Sequence, residues 1–255
     1  MIIPILLYHS VADGAAADGA WGAVSREQFK SHVEIIAASG RQSLTISALA
    51  AMLRGERPLV ERPVAVTFDD GYDDTLAAVE LLRDHGLGAT VYVTTGQLGA
   101  GGHISAADVQ ALTALGGVEV GAHGVRHERL DELSRLELQH EVTSSKRQLE
   151  DLASERIDSF AYPHGAYDGR VRAAVVDAGY RSAAAVKNAV SHHDDDPFAL
   201  ARYTVTAATA AERVADVLGG KGVPLAWTGE RVRTRAYRIA RRSRRRLRTA
   251  GGQPC

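Results

Sequence analysis

Short hydrophobic runs alternate with amphipathic segments along this 255-residue chain, and no other feature constrains its fold as strongly. A short apolar run fits a buried strand, whereas apolar residues at every third or fourth position indicate a helix packed on one face. Strands that alternate with helices are typical of α/β folds. The predicted strands are Ile2–Tyr8, Val64–Phe68, Thr90–Thr94, Val118–Gly121, Ser159–Tyr162, Ser182–Val186 and Ala201–Val205. The predicted helices cover residues 25–39, 72–85, 105–115, 132–152, 168–178 and 208–218.

Two adjacent carboxylates follow the second predicted strand. Val64–Phe68 reads as buried, Asp69 and Asp70 come next, and Gly71 ends the strand. Because neighbouring strand residues point in opposite directions, both carboxylates can enter one site only where the strand becomes a loop. That is where α/β enzymes place catalytic groups. The alternative is a turn followed by an N-cap for the helix that begins near Asp73.

Two histidines follow another predicted strand, with three residues between them. His123 and His127 come within six residues after Val118–Gly121, and they can converge in a helix or in a tight loop. An imidazole pair completed by a carboxylate suits zinc or a related divalent metal. A histidine pair after one strand and an aspartate pair after another therefore predict a metal site.

Three segments resemble, in order, the first three motifs of the NodB-type polysaccharide deacetylases. They are Thr67-Phe68-Asp69-Asp70-Gly71, His123-Gly124-Val125-Arg126-His127 and Phe160-Ala161-Tyr162-Pro163-His164-Gly165. The resemblance spans roughly residues 1–205 and implies a distorted, incomplete (β/α) barrel, which the seven predicted strands, rather than eight, fit. It also implies that Asp70, His123 and His127 bind one divalent metal ion, for which zinc is the expected identity. Asp69 is then the catalytic base.

The start of the chain resembles a further motif of this family. Most members carry a histidine that acts as general acid near the C-terminus, but some carry it before the aspartate pair. Ile5-Leu6-Leu7-Tyr8-His9-Ser10 matches that segment, and no similar Leu-Leu-His segment follows residue 165. The resemblance therefore implies a circularly permuted motif order with His9 as the acid. The alternative is that His9 simply ends a core strand.

The third motif departs from the family pattern in two ways. The arginine that often precedes its proline and holds the base is missing here, and Arg202 on a late predicted strand is the candidate replacement. His164 stands where tyrosine is more usual, although its backbone N–H can still stabilise the oxyanion. Tyr162, Pro163 and His164 are accordingly the predicted oxyanion and substrate-binding residues.

The charge distribution divides the chain into a predicted catalytic domain, 1–229, and an arginine-rich tail, 230–255. The tail holds ten of the 30 basic residues and one of the 31 acidic residues, which leaves a balance of −10 in the domain. Ten arginines interrupted by apolar residues over 231–248 suggest peripheral contact with an anionic membrane. A solvated terminus is the alternative, and nucleic-acid binding is not expected because the tail lacks a stacking platform. The single cysteine and the missing leader predict a cytoplasmic location.

The predicted reaction is metal-dependent hydrolysis of an N-acetyl group on an amino sugar in a polysaccharide, oligosaccharide or glycoconjugate. One alternative is a related amidohydrolase that acts on a non-sugar amide or cyclic imide, and another is a binding module that works through the basic tail. A second histidine- and aspartate-rich stretch, residues 192–196, is interpreted as a solvated acidic loop rather than a further metal site.

Overall fold

The computed structural model describes residues 1–14, 22–227 and Arg241. The strands are β1 (Ile2–Ile3), β2 (Ile5–Tyr8), β3 (Gln42–Ser43), β4 (Pro63–Phe68), β5 (Ala89–Val93), β6 (Val118–Ala122), β7 (Ser159–Ala161), β8 (Ser182–Val186), β9 (Ser191–His192) and β10 (Leu200–Thr204). The α-helices are α1 (Arg26–Ala38), α2 (Ile46–Leu53), α3 (Thr75–Asp84), α4 (Ala106–Ala114), α5 (Arg135–Ala153), α6 (Gly169–Asp177) and α7 (Ala211–Leu218).

Seven parallel strands form a ring in the order β2, β10, β8, β7, β6, β5 and β4, and β4 pairs back with β2. The prediction of a distorted seven-stranded (β/α) barrel is confirmed. The shortest ladder of the ring lies between β6 and β7, where it consists of the single pair Ala122 and Phe160. Strand β3 lies outside the ring and extends the sheet beside β4.

The prediction of one continuous first strand is wrong. Ile2–Tyr8 is divided at Pro4 into β1, which pairs antiparallel with β9, and β2, which enters the barrel. Proline lacks the N–H that a continuous ladder needs, and its carbonyl instead accepts a hydrogen bond from Ala65 N–H at 3.1 Å.

Helix α2 was not predicted, although it closes the lower end of the barrel. Its Ile46, Leu49 and Met52 pack with Ile5 and Ala65 in a cluster that fills the barrel interior. A larger cluster lies between the outer face of the strands and the surrounding helices. The carboxyl ends of the strands, at the opposite end, therefore remain available for a site.

Of the predicted tail, 230–255, the structure describes Arg241, whose Nε lies 2.8 Å from a carboxylate oxygen of Glu132. The other tail residues, and with them the predicted membrane contact over 231–248 and the boundary at residue 229, lie outside the described residues. Among the helices that are described, none combines the length and apolar character required to cross a bilayer.

Candidate active site

Six of the predicted site residues meet at the carboxyl ends of the barrel strands. His9 follows β2, Asp69 and Asp70 follow β4, and His123 follows β6. These side chains line one open cleft of about 1930 Å³, together with His127 and His164. Residues from four separate parts of the chain thus reach one surface because parallel strands end on the same side of a barrel.

The chain leaves β4 through two left-handed residues, and this brings both aspartates into the site. Asp70 has a φ of 72° and Gly71 a φ of 78°. A positive φ is uncommon for a residue other than glycine, and it turns the backbone so that adjacent side chains no longer diverge. The turn interpretation and the site interpretation of this segment are therefore compatible. The N-cap position of α3 belongs to Asp74, whose side chain makes no capping hydrogen bond.

Three potential metal ligands converge in the cleft. The Oδ1 atom of Asp70 lies 3.5 Å from Nε2 of His123 and 3.2 Å from Nε2 of His127. The ring of His123 is oriented by a 2.8 Å hydrogen bond between Nδ1 and the carbonyl of Ala161, which leaves Nε2 facing the carboxylate. Such a bond on the far nitrogen of a histidine ligand is a common outer-shell feature of metal sites.

The chemistry of this donor set fits a divalent metal ion. Burial lowers the pKa of His123 to about 3 and also lowers that of His127, so both rings are neutral at pH 7 and can donate a lone pair. Burial, followed by the charge of Asp69, raises the pKa of Asp70 to about 7. Oδ1 of Asp70 is buried and has no hydrogen-bond partner among the described residues. Burying a carboxylate oxygen without a partner costs free energy, and a cation bound by Asp70, His123 and His127 would offset that cost.

Asp69 is held in a buried, bidentate ion pair with Arg202. The two guanidinium nitrogens donate to the two carboxylate oxygens at 2.6 and 2.7 Å, and both side chains are almost fully buried. Arg202 also donates to Thr67 Oγ1 and to the carbonyl of Ala185. Burial alone would raise the pKa of Asp69, but the charge and hydrogen bonds of Arg202 outweigh it and hold this pKa at about 2. Asp69 is therefore an oriented carboxylate at neutral pH.

His9 is buried at the edge of the same cleft. Burial lowers its pKa to about 4, while the neighbouring charge of Asp69 acts in the opposite direction. The imidazole is thus neutral at pH 7 in the free protein.

The third predicted segment divides into a supporting part and an exposed part. The ring of Tyr162 stacks on Tyr167 at 4.5 Å, its hydroxyl donates to the carbonyl of Phe198, and its N–H donates to Ala184. Tyr162 and Pro163 therefore support the strand end and do not line the cleft. His164 does line it, with a φ of 58° and its Nε2 3.2 Å from the carbonyl of His127.

Sequence reasoning missed Glu141, a fully buried acid on α5 that binds the segment between the two histidines. A signal was present, because Glu141 shares its helix face with the buried residues Leu138, Val142, Ser145 and Leu149. A charged residue within an apolar stripe of this kind requires partners in the fold.

Comparison with known proteins agrees with this geometry. The family model for polysaccharide deacetylases matches residues 56–183, which include the aspartate pair, both histidines and the third motif. The chain belongs to the polysaccharide deacetylase family. YxkH of Bacillus subtilis (strain 168), which carries the name of a polysaccharide deacetylase, is 26% identical over 205 residues, covering 80% of this chain and 71% of YxkH.

Several solved structures share the fold. The deacetylase PplD of Streptococcus pyogenes, solved in complex with acetate, has a TM-score of 0.78 at 20% identity and covers 86% of this chain and 98% of its own. The polysaccharide deacetylase BC0361 of Bacillus cereus has a TM-score of 0.76 at 22% identity, covering 86% of this chain and 69% of its own. IcaB of Ammonifex degensii has a TM-score of 0.73 at 21% identity, covering 85% and 97%. The predicted family resemblance is confirmed, and membership supports hydrolysis of N-acetyl amides.

Proposed function

We propose that this deacetylase removes N-acetyl groups from amino sugars in a polysaccharide, oligosaccharide or glycoconjugate, using one bound divalent metal ion, zinc. The observation that carries the proposal is the convergence of Asp70, His123 and His127 beside the Asp69–Arg202 pair in one cleft. Two imidazoles and one carboxylate are a common protein ligand set for catalytic zinc.

The cleft supports a sugar polymer or conjugate over a small amide. Its volume of about 1930 Å³ exceeds the range of roughly 300–1,000 Å³ that is usual for small-molecule pockets. One wall carries Tyr72 stacked on His103, with ring centroids 5.1 Å apart. A flat aromatic wall of this kind offers an apolar face to a sugar ring.

The chain's own residues supply the proton transfers. When bound, the metal polarises the acetyl carbonyl and lowers the pKa of water. Asp69, ionised and oriented by Arg202, accepts the proton of the attacking water as the new C–O bond forms. The C–N bond then breaks, and His9 delivers a proton to the departing amine. Since His9 is neutral beforehand, it first receives the proton that Asp69 took from water, and this is the proton that it delivers as the C–N bond breaks, so the proton balance closes. The N–H of His164 is proposed to stabilise charge on the carbonyl oxygen.

Acetate release tests the proposed substrate class. The zinc-loaded protein would be offered N-acetylated oligosaccharides of increasing length, lipid-linked and nucleotide-linked N-acetyl sugars, a small aliphatic N-acetyl amide and a cyclic imide. His127→Ala serves as the blank because it removes a proposed metal ligand. We expect acetate release from the N-acetylated sugar substrates and none from the aliphatic amide or the imide. Turnover of the imide or the aliphatic amide without any release from glycans would contradict the sugar assignment and support the alternative amidohydrolase.

His9→Ala is expected to lower amide hydrolysis about 100-fold while leaving hydrolysis of an activated aryl acetate nearly unchanged. The reason is that an amine needs a proton in order to leave, whereas an activated phenolate does not. Initial rates on both substrates give the comparison, and His140→Ala on the outer surface of α5 is the control. Equal loss on the two substrates, or loss on neither, would mean that the general acid is another group, with His164 the next candidate.

The arginine-rich tail is proposed to bring the domain to an anionic membrane surface at the cytoplasmic face. Each basic side chain near such a surface contributes about 1 kcal/mol, so ten arginines over 231–248 can hold a domain peripherally. We expect the full chain to sediment with vesicles that contain phosphatidylserine at low salt and to be released at high salt. A chain ending at Gly229 should stay in solution. Binding to neutral vesicles to the same extent would refute the proposal.

A further inference from the structure

The turn that links the two proposed histidine ligands has an unusual backbone. It runs from His123 at the end of β6 through Gly124, Val125 and Arg126 to His127. Gly124 has a φ of 75° and His127 a φ of 57°, both in the left-handed region. A residue other than glycine occupies this region only when its surroundings hold it there. The position of the His127 ring therefore depends on what binds the turn.

Glu141 binds this turn from the side of α5. Its Oε2 accepts the N–H groups of Val125 and Arg126 at 2.7 and 2.9 Å, and its Oε1 accepts Nε of Arg126 at 2.7 Å. The carboxylate is completely buried, and a Cβ atom at Gly124 would lie 3.0 Å from Oε2. Glycine at that position thus allows the close approach of the carboxylate to the backbone.

The opposite side of the turn is held by the segment after β5. Thr95 N–H donates to the carbonyl of Gly124 at 3.1 Å, and Gly96 N–H donates to that of Val125 at 2.9 Å. A Cβ atom at Gly96 would lie 2.4 Å from the Val125 carbonyl oxygen, so only glycine fits there. The carbonyl groups of the turn are therefore held from one side, and its N–H groups are held from the other side by Glu141.

We infer that Glu141 is a positioning residue, which fixes the His123–His127 turn and thereby the spacing of the metal ligands through the two main-chain N–H bonds to its carboxylate. The ion pair with Arg126 contributes less, because about half of the Arg126 side chain is exposed and its charge is screened by water. The inference rests on the proposed metal-dependent function. It adds that a residue without contact to metal or substrate sets the affinity for the metal.

The experiment measures zinc affinity by competition with a chromophoric chelator, together with thermal unfolding of the metal-free protein. Wild type is measured first, because failure of wild type to bind zinc would refute the metal centre itself and not the role of Glu141. Glu141→Leu should lower zinc affinity 10- to 100-fold, the range usual for loss of an outer-shell partner. Glu141→Gln retains an acceptor for both N–H groups and should stay within about threefold of wild type. The zinc affinity of Arg126→Ala should also stay within about threefold of wild type.

Glu119→Leu is the matched control for a purely structural loss. Glu119 is a partly buried acid at the other end of the barrel, and it accepts the N–H of Ser47 at 3.0 Å and the hydroxyl of Thr90 at 3.0 Å. This variant should lower the melting temperature without changing zinc affinity. A folded Glu141→Leu protein with wild-type zinc affinity would overturn the inference, and so would an equal loss in Glu141→Gln.

If Glu141→Leu does not fold, Glu141→Asp serves as the test variant, because its side chain is shorter by one methylene group. Glu141→Asp keeps the charge and the acceptors but cannot reach both N–H groups in the same geometry. We expect about a tenfold loss of zinc affinity with a smaller change in melting temperature than in Glu141→Leu. Wild-type affinity in Glu141→Asp would also overturn the inference.

Discussion

Asp69→Asn is expected to lower kcat/KM for deacetylation about a thousandfold while the protein still binds its metal. The amide has the shape of the carboxylate but cannot accept the proton of the attacking water, and loss of a general base costs about 100- to 10,000-fold. Binding of zinc should persist because the proposed ligands are Asp70, His123 and His127. Single-turnover acetate release and zinc stoichiometry, measured on the same preparation, test both parts.

The control for this substitution is Asp195→Asn. Asp195 is also buried and hydrogen-bonded, to Ser191 and to the N–H of His192, but it lies beside β9 and does not line the cleft. Its amide variant should lose stability and keep its turnover per folded molecule. Residual activity of Asp69→Asn above a tenth of wild type would show that Asp69 is not the base.

Arg202→Met is expected to destabilise the metal-free protein by about 3–5 kcal/mol, because it leaves the carboxylate of Asp69 buried without its cation. At the size of this chain, such a loss corresponds to a fall in melting temperature on the order of 10 °C. Turnover should fall as well, since the base loses the two hydrogen bonds that orient it.

The contribution of Asp69 to the pH dependence of stability should have opposite signs in the wild type and in Arg202→Met. In the wild type, Arg202 holds the pKa of Asp69 at about 2, so the pair stabilises the fold above the ordinary carboxyl pKa near 4. That contribution is lost as the pH falls towards 2. In Arg202→Met, the guanidinium no longer offsets burial, and the pKa of Asp69 rises. The free energy of unfolding of the variant should therefore lie furthest below that of the wild type at neutral pH. It should approach the wild-type value as the pH falls through the raised pKa of Asp69.

Arg172→Met provides the matched comparison. Arg172 also forms a bidentate pair, with Asp196 at 2.6 and 2.9 Å, but both side chains are more than a third exposed. Water screens such a pair, so its loss should cost less than about 1 kcal/mol. Arg202→Lys is the second test variant, since it keeps the charge and loses the bidentate geometry. If Arg202→Met and Arg172→Met were equally stable at pH 7, the Asp69–Arg202 pair would not be the stabilising contact that its burial implies.

The sequence predicted the elements whose signal is local. Runs such as Val64–Phe68 are apolar at four of five positions because both faces of a barrel strand are buried, and a polar motif follows where such a strand ends. Helix α2 escaped prediction for a related reason. Ile46–Leu53 carries a single polar residue, Ser47, so it shows no alternation of apolar and polar faces from which a helix could be recognised.

Residues that act through partners distant in sequence could not be assigned in the same way. Arg202 reaches Asp69 across 133 positions because β10 pairs with β2, which in turn pairs with β4. The sequence offered Arg202 as one candidate cation, and the pairing of strands selected it. Glu141 is the stronger case, since its hydrogen bonds to the turn depend on how α5 packs against the end of β6.

The sequence by itself therefore determined the family, the alternation of strands and helices and the set of chemical groups at the strand ends, because short-range patterns encode each of these. The tertiary structure decided which charges neutralise each other, which acid holds the histidine turn, and that Tyr162 supports the site without lining it. Those outcomes depend on burial and on distances of a few ångströms between segments far apart in the chain, and both exist only once the barrel has closed.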